Sequence, residues 1–125
     1  MINRVEFMLT GHITPYVRMT QGGKFSDQQA WRYLASQEAL RVQMRAQMAS
    51  EGAVMLPAKT RLEVEAVIRT DRKGDLDNIV KAILDAAQGV VFLDDRWVDR
   101  ISAEREIVAA EEAHGARVEI GVAQP

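Results

Sequence analysis

The order of two kinds of hydrophobic pattern constrains the fold of this chain most strongly. Four segments alternate apolar and polar residues with the period of a strand, and two segments have the period of a helix. The apolar positions that mark the strands are Val5, Phe7 and Leu9; Leu62, Val64, Ala66 and Ile68; Trp97, Ile101, Ala103 and Ile107; and Ala116, Val118, Ile120 and Val122. The order strand-helix-strand-helix-strand-strand predicts an α/β (α+β) fold, with two helices packed on a single mixed sheet of about four strands.

Both predicted helices have signals at their ends. Ser26 or Asp27 can cap the first helix, and Gly52 ends it. The second helix is predicted to begin near Asp75, a good N-cap residue, and to stop at Gly89. The apolar stripes of the two helices are Tyr33, Leu40, Met44 and Met48, and Ile79, Val80, Ile83, Leu84 and Ala87.

Length and composition narrow the class of protein. With 125 residues, of which 47% are hydrophobic, residues 1–125 are expected to form one domain with one core. No apolar run is long enough to span a bilayer, and the first residues lack the features of a secretory signal, so we expect a cytoplasmic protein without a membrane role. Because there is no cysteine, any bound metal must sit on oxygen or imidazole ligands.

The densest polar grouping follows the second predicted strand. Six carboxylates occur within 25 residues: Asp71, Asp75, Asp77, Asp85, Asp94 and Asp95. Asp75 and Asp77 are expected at one edge of the sheet, and the apolar segment 90–93 is expected to return Asp94 and Asp95 to that same edge. Clustered carboxylates repel one another unless a cation neutralises them, and hard oxygen ligands favour Mg²⁺, with Mn²⁺ as a substitute. The cluster therefore indicates chemistry on a phosphate group.

Each of these residues also has a simpler interpretation. Asp75 can be a helix cap, which is the commoner role for an aspartate at such a position. Asp77 and Lys81 can form an ordinary surface pair one helical turn apart, and Asp94 and Asp95 can be solvated turn residues. Only the combination favours a metal site, in which the Lys81 ammonium would stabilise charge on a scissile phosphate.

The combination resembles the signature of the RusA-type crossover junction endodeoxyribonucleases, in the segments Asp75-Leu76-Asp77-Asn78 and Leu93-Asp94-Asp95 with Lys81 and Asp85 between them. The resemblance implies that Asp75, Asp77 and Asp95 are the metal-binding aspartates and that Lys81 is the catalytic lysine. Asn78 and Asp85 match as supporting positions. For Asp94 it leaves two roles open, direct ligation of the metal and a turn or supporting role.

The resemblance also implies the partners. The substrate would be a four-way DNA junction, and two symmetric cuts in opposing strands call for a homodimer. The net charge of −2 argues mildly against DNA binding, but basic residues lie near the proposed site and in the loop before the first helix. The predicted DNA-binding residues are Arg18, Lys24, Arg69, Arg72 and Lys73, each of which can also be a solubilising surface charge.

Three other functions fit parts of the pattern. One is a metal-dependent nuclease of other DNA branches, and a second is a module that binds junctions without cutting them. The third is a nucleotidyl or phosphoryl transferase, although the chain has no recognised glycine-rich phosphate loop. His12 and His114 are expected to be ordinary loop residues rather than general bases, because both are remote in sequence from the aspartates.

Overall fold

A computed structural model describes residues 3–16, 27–71, 74–109 and 112–123. The elements are β1 (Arg4–Thr10), α1 (Asp27–Glu51), β2 (Leu62–Thr70), α2 (Leu76–Ala87), a 3₁₀ turn (Asp95–Trp97), β3 (Val98–Ile107) and β4 (Gly115–Val122). This order and the mixed four-stranded sheet confirm the predicted fold class. Within the described ranges, no helix combines the length and the apolar character that crossing a membrane requires.

The sheet has the strand order β1-β4-β2-β3. β2 and β3 are parallel, whereas β4 is antiparallel to both β1 and β2. Because α2 connects the parallel neighbours β2 and β3, these three elements form a βαβ unit. α2 therefore starts at the end of the sheet where β2 ends and returns the chain to the opposite end, where β3 begins.

One face of the sheet forms the core with both helices. The predicted apolar positions of β1 and β2, and Ala116, Val118 and Ile120 of β4, are buried together with the predicted stripes of α1 and α2. Gly52 and Gly89 follow the two helices with φ angles of +65° and +85°, which confirms their predicted role at the helix ends. The opposite face of the sheet is mostly polar, with Glu65, Arg69 and Arg117 as exposed examples.

The third strand differs from the prediction in two ways. Trp97 belongs to the 3₁₀ turn, so the strand begins only at Val98. Ile101 and Ile107, which the alternation assigns to a buried face, have exposed fractions of 51% and 44%. The reason is the position of β3 at the edge of the sheet, where α2 covers only part of the strand.

The two edge strands are covered differently. On β1, the side-chain amide of Gln47 accepts a hydrogen bond from the Met8 N–H at 2.9 Å and donates one to the Met8 carbonyl at 2.8 Å. Gln43 does the same for Thr10, at 2.8 and 3.1 Å. These glutamines of α1 occupy the backbone groups that an added strand would need. The β3 edge instead carries the exposed side chains of Ile101 and Ile107.

Candidate active site

Contacts from two other segments hold the start of α2. Gly74 precedes it with φ +84°, and its carbonyl accepts a hydrogen bond from the Arg105 guanidinium of β3 at 2.6 Å. The Tyr16 N–H donates to the Asn78 carbonyl at 2.9 Å, which fixes the loop after β1 against the first turn of the helix. The predicted motif therefore lies at a strand-to-helix junction that is braced from two sides.

Asp75 is the N-cap residue of α2, but its side chain makes no capping hydrogen bond. Its backbone carbonyl accepts the first helical hydrogen bond, from the Ile79 N–H at 3.0 Å. The Asp75 residue is exposed. Helix capping by its carboxylate, the simpler interpretation of this residue, is therefore not what the structure shows, and its oxygens can act as ligands.

A cavity of about 580 Å³ runs between α2 and β3. Asp77, Lys81 and Asp95 contribute its polar groups, and the remaining wall is apolar, formed by Leu76, Val80, Leu84, Ile101 and Ala103. Asp77 lies in the first turn of α2, where the helix dipole favours a negative charge. The structure therefore brings three of the four predicted catalytic residues to the wall of one cavity.

The Lys81 ammonium lies over the ring of Tyr16, 4.7 Å from the ring centroid. Tyr16 contacts Tyr33 edge to face, with ring centroids 5.9 Å apart, and the Tyr33 hydroxyl donates to Asp85 at 3.0 Å. Two effects raise the pKa of Tyr33: burial of its phenol, which is the larger, and its hydrogen bond to Asp85. These three successive contacts connect Lys81, beside the cavity, to Asp85. The supporting role of Asp85 stays a prediction.

Asp94 caps the 3₁₀ turn that precedes β3. One of its carboxylate oxygens accepts the Arg96 N–H at 2.9 Å and the other accepts the Arg96 Nε–H at 3.2 Å. The backbone hydrogen bond from Arg96 holds the pKa of Asp94 below its ordinary value. The sequence left two roles open for Asp94, direct ligation of a metal and a turn or supporting role. The observed contacts are those of a turn residue.

The topology separates Asp95 from Asp75 and Asp77. Asp95 comes just before β3 begins, and its N–H donates to the side chain of Gln88, the C-cap residue of α2, at 3.2 Å. Asp77 and Gln88 are separated along the helix axis by a rise of about 16 Å. The prediction that Asp94 and Asp95 return to the edge of Asp75 is therefore wrong. β3 is parallel to β2, so it begins at the end of the sheet opposite to the one where β2 ends and α2 starts.

As a consequence, Asp75, Asp77 and Asp95 do not converge within one chain. Among the residues that the structure describes, no three histidine, aspartate or glutamate side chains are close enough together to hold a metal ion. Mg²⁺ commonly takes one or two protein carboxylates and completes its shell with water and phosphate oxygens. Asp75 and Asp77 supply that number of carboxylates at the start of α2, whereas the predicted set of three does not come together in one chain.

The predicted DNA-binding residues fall mostly outside the described ranges, since Arg18, Lys24, Arg72 and Lys73 are not among the residues described. Arg69 is described and exposed. It lies on the polar face of the sheet, away from the cavity, and its Nε is 3.4 Å from Glu106. Its role in DNA binding stays a prediction.

The structure also joins residues that sequence reasoning left apart. His12 and His114 follow β1 and precede β4, and their Nδ1 atoms are 3.5 Å apart. Tyr16 and Tyr33 together connect Lys81 to Asp85, although the sequence pattern indicates only a core position for Tyr33. Tyr16 and Lys81 are distant in sequence, so the spacing of residues contained no signal for this pairing.

A family model for endodeoxyribonuclease RusA matches residues 12–123 of the chain. The match spans both helices, the last three strands and the whole acidic motif. No curated protein matches the sequence. The family match identifies the chain as an endonuclease, a hydrolase that acts on the phosphodiester bonds of DNA. More particularly, the chain belongs to the RusA endodeoxyribonuclease family, as the resemblance of the acidic motif predicts.

Proposed function

We propose that this protein is a Mg²⁺-dependent, structure-selective endodeoxyribonuclease that resolves four-way junctions by paired phosphodiester hydrolysis. The observation that supports the proposal is the cavity between α2 and β3, whose polar lining is Asp77, Lys81 and Asp95. Asp77 lies at the braced start of α2, and Asp95 lies toward the end of that helix. The polar groups of the cavity are two carboxylates and one ammonium. Carboxylates suit a cation, and an ammonium suits the charge of a phosphate diester. DNA recombination and repair would be the setting of such an activity.

When bound, Mg²⁺ would neutralise the diester charge and lower the pKa of a coordinated water. Asp75 and Asp77 would hold the ion at the start of α2. Lys81, which is fixed over Tyr16, would donate a hydrogen bond to a non-bridging phosphate oxygen and stabilise its charge in the transition state. In the balanced reaction, water adds to phosphorus, one P–O bond breaks, and the products are a phosphate monoester and a hydroxyl terminus.

The first test compares DNA structures and metal ions. Wild-type protein is incubated with a synthetic four-way junction, a flap and a linear duplex of matched sequence, with Mg²⁺, with Mn²⁺, or with EDTA. We expect paired cuts in the junction with either metal and none with EDTA, because the reaction needs a cation on the phosphate. Preferential cutting of the flap would favour a nuclease of other branches, and binding without cutting would identify a junction-binding module.

We propose further that the protein acts as a homodimer, because paired cuts in opposing strands require two sites related by a twofold axis. The β3 edge is the surface that a second copy would cover, since Ile101 and Ile107 are exposed there and Gln43 and Gln47 already occupy the backbone of the β1 edge. An exposed edge strand with apolar side chains is a common place for association.

Sedimentation analysis tests this surface. The wild type should sediment at twice the chain mass of 14.0 kDa, and Ile101→Lys should shift the protein toward 14.0 kDa. The matched control is Val42→Lys on α1, where the replaced side chain is similarly exposed at 54%, compared with 51% for Ile101. A dimer that survives Ile101→Lys would place the interface elsewhere, and a monomeric wild type would contradict the homodimer.

A further inference from the structure

The two histidines of the chain lie together where β1 ends and β4 begins. His12 follows β1, His114 precedes β4, and their Nδ1 atoms are 3.5 Å apart. The ring centroids are 5.6 Å apart and the ring planes are inclined by 54°, so the rings are tilted rather than stacked. Neither ring lines the cavity between α2 and β3, so the pair is separate from the proposed nuclease centre.

The backbone holds both histidines in place. Thr10 pairs with Gly115 at the last step of the ladder between β1 and β4, and the Gly11 N–H donates to the His114 carbonyl at 2.9 Å. The residue after His12, Ile13, is buried in the core. Because the backbone is fixed around both rings, a ligand that needs the two imidazoles finds them already close together.

Burial leaves His114 with one nitrogen that can bind a ligand. Its Nε2 is buried and has no hydrogen-bond partner among the residues that the structure describes, whereas its Nδ1 faces the ring of His12. His12 is exposed, so its ring can turn to direct the Nδ1 lone pair, and water can reach the pair. Two imidazole nitrogens are therefore available on one side of the pair, next to solvent.

The distance between these nitrogens fits two ligands of one metal ion. An N–H donor normally lies about 2.7 to 3.2 Å from its acceptor, so 3.5 Å is long for a hydrogen bond between the rings. Two imidazoles bound to a tetrahedral Zn²⁺ at about 2.0 to 2.1 Å have nitrogens about 3.3 to 3.4 Å apart. A small rotation of the His12 ring would therefore complete the geometry.

We propose that His12 and His114 form a binding site for a divalent transition-metal ion, with Zn²⁺ as the ion, both Nδ1 atoms as ligands and water in the remaining positions. Imidazole nitrogen favours such ions, whereas Mg²⁺ prefers oxygen. In the described part of the chain no third histidine or carboxylate joins the pair. The bound ion ties the exit of β1 to the entry of β4, at the beginning of the segment that carries Tyr16.

Nuclear magnetic resonance of the imidazole rings tests the site with Zn²⁺ alone as the probe. The protein is purified with a tag that contains no histidine, so His12 and His114 are the only imidazoles in the sample. Excess Mg²⁺ occupies the carboxylates of the proposed nuclease centre. We expect Zn²⁺ to move the Nδ1 signals of both rings together, with saturation at one ion per chain. A change in one ring only, or in neither, would overturn the site.

His12→Gln and His114→Gln should each weaken Zn²⁺ binding by about a hundredfold, because the second imidazole of an intact pair binds intramolecularly. Both variants should fold, since the described side-chain hydrogen bond of each ring is the one to the other ring. The matched control is Glu112→Gln, which removes a carboxylate from the segment of His114 and keeps an acceptor for the Ala109 N–H. It should bind Zn²⁺ as tightly as the wild type. Equal affinities of the wild type and the double histidine variant would contradict the proposal.

Thermal unfolding supplies a second readout that does not depend on cleavage. At a Zn²⁺ concentration about ten times the dissociation constant, the Tm of the wild type should rise by about 4 to 7 °C. The Tm of the double histidine variant should not change. Its cleavage of a junction with Mg²⁺ should equal that of the wild type, so failure of the proposed nuclease function would leave the zinc site standing. A rise in Tm that persists in the double variant would place the ion elsewhere and overturn the site.

Discussion

Replacement of Asp77 by asparagine should lower the rate of junction cleavage by about a thousandfold, a loss of about 4 kcal/mol of transition-state stabilisation. Asparagine keeps the shape of the side chain and its acceptor oxygen, but it removes the charge that is proposed to hold the cation. The described contact of the Asp77 carboxylate is with the Asn78 N–H at 3.0 Å, and the side-chain carbonyl of the new asparagine can still accept that hydrogen bond. The fold should therefore survive.

The stability and DNA affinity of the variant separate chemistry from folding. Loss of a negative charge in the first turn of α2 should reduce the free energy of unfolding by about 0.3 to 1 kcal/mol, measured by urea denaturation. Affinity for a junction in EDTA should be equal to that of the wild type or slightly higher, because one charge that repels phosphate is gone.

Asp99→Asn is the matched control for this prediction. Asp99 is an exposed aspartate of β3 whose carboxylate pairs with Arg61 at 2.8 Å and which lies outside the cavity. The same chemical change there should leave the cleavage rate near that of the wild type. A single-turnover rate for Asp77→Asn within tenfold of the wild-type rate, with Mg²⁺ saturating, would rule out Asp77 as a metal ligand.

The elements of the fold were predictable because local patterns specify them. The alternation in β1, β2 and β4 and the helical stripe from Ile79 to Ala87 each have one buried face, so burial and sequence period agree. Periodicity cannot show how much of an element is buried by its neighbours in the fold. β3 has the same alternation but lies at the sheet edge, so Ile101 is half exposed although it shares the parity of buried positions.

The placement of the predicted site residues was predictable only in part. Asp77 and Lys81 are one helical turn apart, which places them on one face of α2, and both line the cavity. The location of Asp95 depends on the direction of β3. A helix between two strands indicates a parallel pair, so the sequence did contain a signal that Asp95, just before β3, lies at the end of the sheet far from Asp75.

Other contacts had no sequence signal. Gln37 is 2% exposed and donates to the Ala82 carbonyl of α2 at 2.8 Å, a hydrogen bond that makes burial of its amide tolerable. The ring of Tyr16 is brought to Lys81 by the loop after β1. Both pairings depend on how α1 and this loop pack against α2, and that packing follows from the whole core rather than from any local pattern.

Gly74→Ala should be the most damaging small substitution at the site. Gly74 has φ +84°, a conformation that costs a residue with a Cβ about 1 to 2 kcal/mol. A Cβ at this position would also collide with the Pro15 ring, which belongs to the loop that carries Tyr16. Relief of that collision requires a shift of the loop or of the residues before α2, at a further cost of about 1 to 3 kcal/mol.

Gly52→Ala separates the cost of backbone strain from the cost of the collision. Gly52 has φ +65°, and a Cβ there would meet nothing within 4 Å, so the variant has the backbone strain without the collision. In urea denaturation, Gly52→Ala should lose about 1 to 2 kcal/mol of unfolding free energy and keep full cleavage activity. Gly74→Ala should lose more stability and should also cut more slowly, because the shift displaces Tyr16 from Lys81 and moves Asp75 from the position in which it is proposed to bind the cation. Equal losses of stability in the two variants, with unchanged cleavage, would show that the contact between Gly74 and Pro15 does not position the site.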